Sequence, residues 1–304
     1  METQQDYNPQ EQYDIPQVSK YLDLRVDWAF KYVFSKKEIL LKLLNDILPP
    51  TITNLEYLPN EIPVMSEKDK RSTLDVICDS PEGKILVEMQ RKHTADIDDR
   101  LAYYQATLVQ RQVKRKSVTY RVKHVYILCI TSYVRFHSVE PPKHKMLFSY
   151  DYRENETYEL LENSKSSFYY LELSRMKERD WEKLRKNPER WCYLFKNMSK
   201  FASERDEPRD LHGFEDVLEA ARVDTLSPED MDNYQDMLSA VKREMRMARL
   251  YEKQQAEARM AEAEARGAKG KQIEIALRIV NEYGQSPEKA AEITGLKVSD
   301  FIAD

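Results

Sequence analysis

A chain of 304 residues, 41% of them hydrophobic, can bury a sizeable core, enough for one main domain with extensions. A net charge of −5 and a pI near 5.8 argue against a constitutive nucleic-acid coat, but not against a protein whose basic groups gather around one site. The longest apolar runs fall short of a membrane span and the N-terminus is polar and acidic, so neither membrane insertion nor an ordinary signal peptide is expected. Cys78, Cys129 and Cys192 are widely separated, which speaks against a disulfide framework or a zinc site and leaves a cytoplasmic protein as the expectation.

Residues 1–19 are rich in Gln, Asp, Asn and Pro without periodicity and read as a disordered tail. From Asp27 onward, Phe30, Val33, Phe34, Ile39, Leu40, Leu43, Leu44 and Ile47 recur at helical spacing until Pro49-Pro50 stops the helix. Asp27 stands where an N-cap would, its carboxylate able to accept from the next turn. Residues 52–65 are β-prone but interrupted by Pro59 and Pro63, as in an edge or bent strand.

Ser72 to Lys92 reads as two strands around the turn Pro81-Glu82-Gly83. Leu74, Val76 and Cys78 alternate with Asp75 and Asp79; Ile85, Val87 and Met89 alternate with Lys84, Glu88 and Gln90. Residues two apart share a strand face, so Glu88 and Gln90 project together. Pairing through the turn brings Asp75 close to Glu88. Two carboxylates with a polar neighbour make an oxygen site for a hard divalent cation.

A helix follows over 96–115, with Ile97, Leu101, Tyr104, Leu108 and Val109 as its apolar stripe. Val122 to Thr131 is a short apolar run suited to a buried strand. The order is therefore αβββαβ. From 132 to 170 the pattern is mixed, with 144–148 and 158–161 as further short strands. Residues 176–226 look helical, with Trp181, Leu184, Trp191, Tyr193, Leu194 and Phe195 packing onto the core. A long charged helix over 227–266 opens at Ser227-Pro228-Glu229, where serine suits the cap and proline the first turn. Its seam Tyr234, Leu238, Val241, Met245, Ala248 steps by four and three. Gly267-Ala268-Lys269-Gly270 is expected to break it. Residues 267–304 form a small helical module whose turn at Gly295 resembles a helix-turn-helix, and a capping or oligomerisation bundle is its first reading.

The five histidines are scattered, and G-x-S-x-G, P-loop and dinucleotide fingerprints are absent from the sequence. Serine hydrolase, NTPase and dehydrogenase readings lack support.

Asp75 followed thirteen positions on (88 − 75) by Glu88-x-Gln90 resembles the PD-(D/E)xK nuclease signature, with Gln in place of Lys and Leu74 where the proline stands. Asp27-Trp28-Ala29-Phe30-Lys31 resembles the D-x-x-F-K opening of the transposase-like, recombination-promoting nucleases of that group. The helix carrying Arg100 and Tyr103-Tyr104, followed by the strand over 125–130, fits the same layout. The likeness covers residues 20 to 135, with a looser one at the tail.

The resemblance implies an α/β, restriction-endonuclease-like core within 20–175 and an Mg²⁺-dependent DNA endonuclease, with Mn²⁺ as alternative ion. Asp75 and Glu88 would hold the metal and Gln90 would position water. Asp27, Lys31, Arg100 and Tyr104 would support the site. Arg91, Lys92, Arg111 and Lys114 are the candidate phosphate contacts, although Lys and Arg at a helix end also complement its dipole. Glutamine can aim a water but carries no charge to favour its deprotonation. DNA is the expected partner, with a homo-oligomer formed through the C-terminal helices and no membrane contact. The competing expectation is a lapsed nuclease fold serving as a scaffold through its helical arm.

Overall fold

The computed structural model describes residues 19–59, 61–62, 72–73, 75–113, 119–135, 145–177, 180–201 and 206–302. The tail expected over 1–19 lies, except for Ser19, outside them, as do Pro63, Leu74, His144 and Lys114 to Lys116. Contacts divide the chain after Lys242 into two compact units.

In the first unit the apolar helical pattern splits into α1 (Asp27–Phe34) and α2 (Lys37–Ile47), where one continuous helix was expected. The break is at Ser35 and Lys36; Lys36 is extended, and its ammonium donates to the Ala220 carbonyl at 3.0 Å. Asp27 is not the cap. Val26 holds that position without a side-chain hydrogen bond, and Asp27 sits inside the first turn, where its carboxylate is free to pair elsewhere.

Among the described residues, strand β1 (Glu56–Tyr57) is what the 52–65 segment contributes to the main sheet. Two short strands, β2 (Glu61–Ile62) and β3 (Ser72–Thr73), pair with each other instead. The hairpin is present as β4 (Val76–Asp79) and β5 (Gly83–Gln90), antiparallel, with Val76 opposite Val87 and Asp79 opposite Lys84. Gly83 is required where it stands: a Cβ would come within 2.5 Å of the His124 carbonyl oxygen and 2.8 Å of the Tyr126 ring. Helix α3 (Ile97–Gln110) then crosses over to β6 (His124–Thr131), which runs parallel to β5. The expected αβββαβ order is thereby complete.

The chain then adds β7 (Leu147–Tyr150) and β8 (Ser166–Glu172), giving the order β1-β4-β5-β6-β8-β7. Strand β8 lies parallel to β6 and was not expected; only an isolated bridge at Leu160 occurs where 158–161 had been read as a strand. Ile77, Leu86, Val125, Ile127, Cys129 and Tyr170 on one sheet face pack against Ile97, Leu101, Tyr104 and Leu108 of α3. By the two-residue alternation, Ile85, Val87, Leu128 and Ile130 point the other way and are buried too.

Helix α4 (Asn187–Asn197) shares an aromatic cluster of Phe30, Phe34, Trp191 and Phe195 with α1, and Phe214 ahead of α5 (Glu215–Ala220) meets Trp191 edge-on. Helix α6 (Pro228–Asn281) begins in this unit, with Tyr234, Leu238 and Val241 buried. It does not end at Gly267. Glycine costs a helix only ~1 kcal/mol relative to alanine, and the strong helix formers on both sides carry it through. In the second unit, α7 (Pro287–Thr294) is capped by Ser286 and closed by Gly295 at φ +72, a left-handed position that suits glycine.

One buried ion pair ties the start of the domain to its later helices. Asp23 accepts from Arg25 Nε at 2.9 Å and Nη2 at 2.6 Å, and from Ser199 Oγ at 3.4 Å; its N–H donates to the Tyr234 hydroxyl at 3.0 Å. Burial favours the neutral acid, but the guanidinium outweighs it and holds the Asp23 carboxyl below the usual range. This stability is therefore present above the ordinary carboxylate pKa and lost as pH falls through the depressed value. Arg25→Ala, which strands a buried charge, should cost about 3–5 kcal/mol at pH 7 in urea denaturation. The cost should shrink on acidification, because protonating Asp23 relieves the uncompensated charge.

Candidate active site

The hairpin register, continued one step beyond Val76 and Val87, sets Asp75 beside Glu88. Parallel pairing sets Glu88 opposite Cys129, and Cys129 opposite Tyr170. The next row on the same face is Gln90, Thr131 and Glu172. The two acids therefore lie within a buried sheet row at the carboxyl end of β5. Asp75 is 12% exposed and Glu88 only 2%.

Each acid is held from a different direction. Asp75 Oδ2 accepts from the Met89 N–H at 2.7 Å, and Lys31 Nζ stands 3.6 Å from Oδ1. Lys31 also pairs with Asp27 one turn back, at 2.9 Å, and the Asp27 carboxyl lies near enough to raise the pKa of Asp75. Helix α1 thus delivers Asp27 and Lys31, four apart on one face, directly to the first acid. Glu88 Oε2 accepts from Gln90 Nε2 at 3.1 Å, and Arg100 on α3 lies close enough to lower its pKa. The other Glu88 oxygen, Oε1, is buried without a hydrogen-bond partner.

Burial sets the electrostatics. It pushes Asp75 up to about 7, with Asp27 adding to the rise and the Met89 N–H and Lys31 opposing it. It pushes Glu88 up to about 8, with Asp75 adding and Arg100 opposing. Burial works against the Lys31 charge, but Asp27 and Asp75 outweigh it and raise its pKa.

These features fit a bound divalent cation. Two carboxylates that are costly to ionise alone and an orphaned, inward carboxylate oxygen both gain from a positive ion. Among the described residues no cluster of three or more His, Cys, Asp and Glu side chains forms a metal cage. A cation would rest on Asp75 and Glu88, with water, backbone or substrate oxygens completing its shell, an all-oxygen set suited to a hard divalent ion.

A model of the PD-(D/E)XK nuclease family transposases matches residues 24–258. The chain belongs to that family. No curated protein and no solved structure gives a match. The mixed sheet flanked by helices is the α/β core that a PD-(D/E)XK nuclease carries, and the family implies a DNA substrate. No helix among the described residues is long and apolar enough to cross a membrane.

Of the residues singled out in the sequence, Asp75, Glu88, Gln90, Asp27, Lys31 and Arg100 converge on this site. Tyr104 belongs to the α3 core and takes Arg100 over its ring at 5.9 Å, steadying the guanidinium. Arg91 and Lys92 lie half-buried where β5 leaves the sheet. Arg111 caps the far end of α3, eleven residues from Arg100 or roughly 16 Å along the axis, and does not join the cluster. Lys114 lies outside the described residues.

Cys129 was missed. Its fully buried thiol neighbours Glu88, Asp75 and Arg100, and burial with the nearby acids keeps it neutral. Its apolar run signals a strand, but only the parallel register shows which residue sits beside Glu88.

The pH dependence follows from the raised carboxyls. Their stabilising contribution is full below the ordinary carboxylate range and is lost as pH rises through about 7 and 8. Metal-free protein should melt at lower temperature at pH 8.5 than at pH 6. Glu88→Gln should remove much of that decline, and Mg²⁺ should reverse it in the wild type, both measurable by differential scanning fluorimetry.

Proposed function

We propose that the protein is a divalent-metal-dependent DNA endonuclease, acting in the cytoplasm as a recombination-promoting, transposase-like enzyme of a bacterial mobile element. The observation that carries this reading is the Asp75–Glu88 pair, buried, adjacent and left with an unpartnered inward oxygen on Glu88. Asp75 and Glu88 would hold Mg²⁺, with Mn²⁺ as a substitute. When bound, the ion would supply Lewis acidity at the scissile phosphate.

The chain's own residues do the rest. The Met89 N–H and Lys31 fix the orientation of Asp75, and Gln90 fixes that of Glu88. Gln90, half-buried one row beyond the acids, orients the attacking water through the hydrogen-bonding groups of its amide. Arg100, steadied over Tyr104, meets a phosphate oxygen as charge accumulates there. Arg91 and Lys92, at the exit of β5, contact neighbouring phosphates without reading sequence, so cleavage should depend more on salt than on base composition.

Nicking of supercoiled plasmid tests this reading. Wild type should nick with Mg²⁺ or Mn²⁺ and stop on chelation. Asp75→Ala and Glu88→Ala should each lower the rate by at least about a hundredfold while leaving the chain folded. Cleavage equal in all three proteins would place the activity elsewhere.

A further inference from the structure

The PD-(D/E)XK signature that this chain resembles has a lysine where Gln90 stands. A site that hydrolyses phosphodiesters gains from a positive charge beside the attacking water, because the charge lowers the cost of forming hydroxide. Gln90 cannot supply it: its amide is uncharged, and one of its two N–H groups already bonds Glu88 at 3.1 Å. A second source is needed.

Two cations border the acid pair. Arg100 lies on the Glu88 side with its guanidinium over the Tyr104 ring. Lys31 lies on the Asp75 side, 3.6 Å from Oδ1, and comes from α1, a different element and nearly sixty positions (90 − 31) from the motif. Its side chain is 31% exposed, open enough to reach solvent, yet pinned at 2.9 Å by Asp27 one turn away. An ammonium has three N–H donors. Asp27 takes up the ammonium through both its oxygens, at 2.9 and 3.1 Å, whereas Asp75 at 3.6 Å is an ion-pair neighbour beyond hydrogen-bond reach, so a donor remains for a water or a phosphate oxygen.

We infer that Lys31 is the catalytic lysine of this site, delivered from α1 in place of the residue that Gln90 displaces, and that Asp27 is its positioning residue. This rests on the nuclease reading. In the step concerned, a water oxygen forms the new bond to phosphorus and gives one proton to solvent. The P–O3′ bond breaks with its electron pair on O3′, which takes a proton from water and leaves as the alcohol. Lys31, fully charged throughout, stabilises the hydroxide character of the attacking oxygen. Asp27 keeps the ammonium from collapsing fully onto Asp75.

The test compares wild type, Lys31→Met, Lys31→Met with Gln90→Lys, and Asp27→Asn, all confirmed folded by melting temperature. Lys31→Met should lower plasmid nicking about a hundredfold or more, with a shift of the pH–rate profile to higher pH. Restoring a lysine through Gln90→Lys in the same chain should recover at least a tenth of wild-type activity. A second readout needs no turnover. Removing a unit charge beside Asp75 should tighten Mn²⁺ binding roughly tenfold by isothermal titration calorimetry. Asp27→Asn should leave Mn²⁺ binding in place but lower nicking, as expected of a positioning group.

Activity of Lys31→Met within about threefold of an active wild type, or loss that Gln90→Lys does not rescue, overturns the assignment. A wild type that binds Mn²⁺ but cleaves no DNA overturns the nuclease reading and this inference with it. An active wild type indifferent to Lys31 overturns this inference alone.

Discussion

Two acids share one buried row of the sheet, and much of the surrounding chemistry answers to that placement. Carboxylates roughly 5 Å apart, as cross-strand neighbours are, repel by about 3 kcal/mol at an effective dielectric near 20. Desolvation adds to this, since Glu88 is almost wholly removed from water. The protein offsets part of the cost with a backbone N–H and Lys31 on Asp75, and with Gln90 and Arg100 on Glu88. It leaves the rest, most plainly at the orphaned Glu88 oxygen. A stable scaffold would gain from an apolar pair here. Retaining the acids makes sense where a cation or its hydration shell enters the row.

The scaffold around the pair is rigid for physical reasons. Parallel β5, β6 and β8 form the buried centre of the sheet, and α3 seals one face with Leu101, Tyr104 and Leu108. Gly83 permits β5 to lie against β6, since any side chain would strike the His124 carbonyl. At the other end of the chain's path, the Asp23–Arg25 pair and Tyr234 anchor the segment that leads into α1. That anchoring bears on the site, because α1 carries Asp27 and Lys31. The acids thus meet a helix that directly follows a segment held by a buried ion pair and by hydrogen bonds to Tyr234 and Ser199.

The departures from the pattern read in the sequence share a common origin. Local propensity marked the glycines at 267 and 270 as a helix end, but neighbouring residues sustain the helix across both. The run Phe30 to Ile47 looked continuous, because apolar periodicity persists through a tight break when both pieces face one core. Strand β8, in SSFYYLE, was hidden by its lack of alternation: a strand buried on both faces shows no two-residue period.

The alternation of Ser72 to Lys92 and the turn at Pro81 to Gly83 by themselves determined that Asp75 and Glu88 would meet, since an antiparallel register follows from a turn. The αβββαβ order was legible for the same reason: each element carries its own period. What only the tertiary structure decided is which distant residues complete the site. That Arg111 stays apart from the acids, that Cys129 borders Glu88, and that Asp27 pairs rather than caps depend on how α1, α3 and β6 pack against the hairpin. Packing of that kind sums many weak, non-local contacts, and no local spacing encodes it.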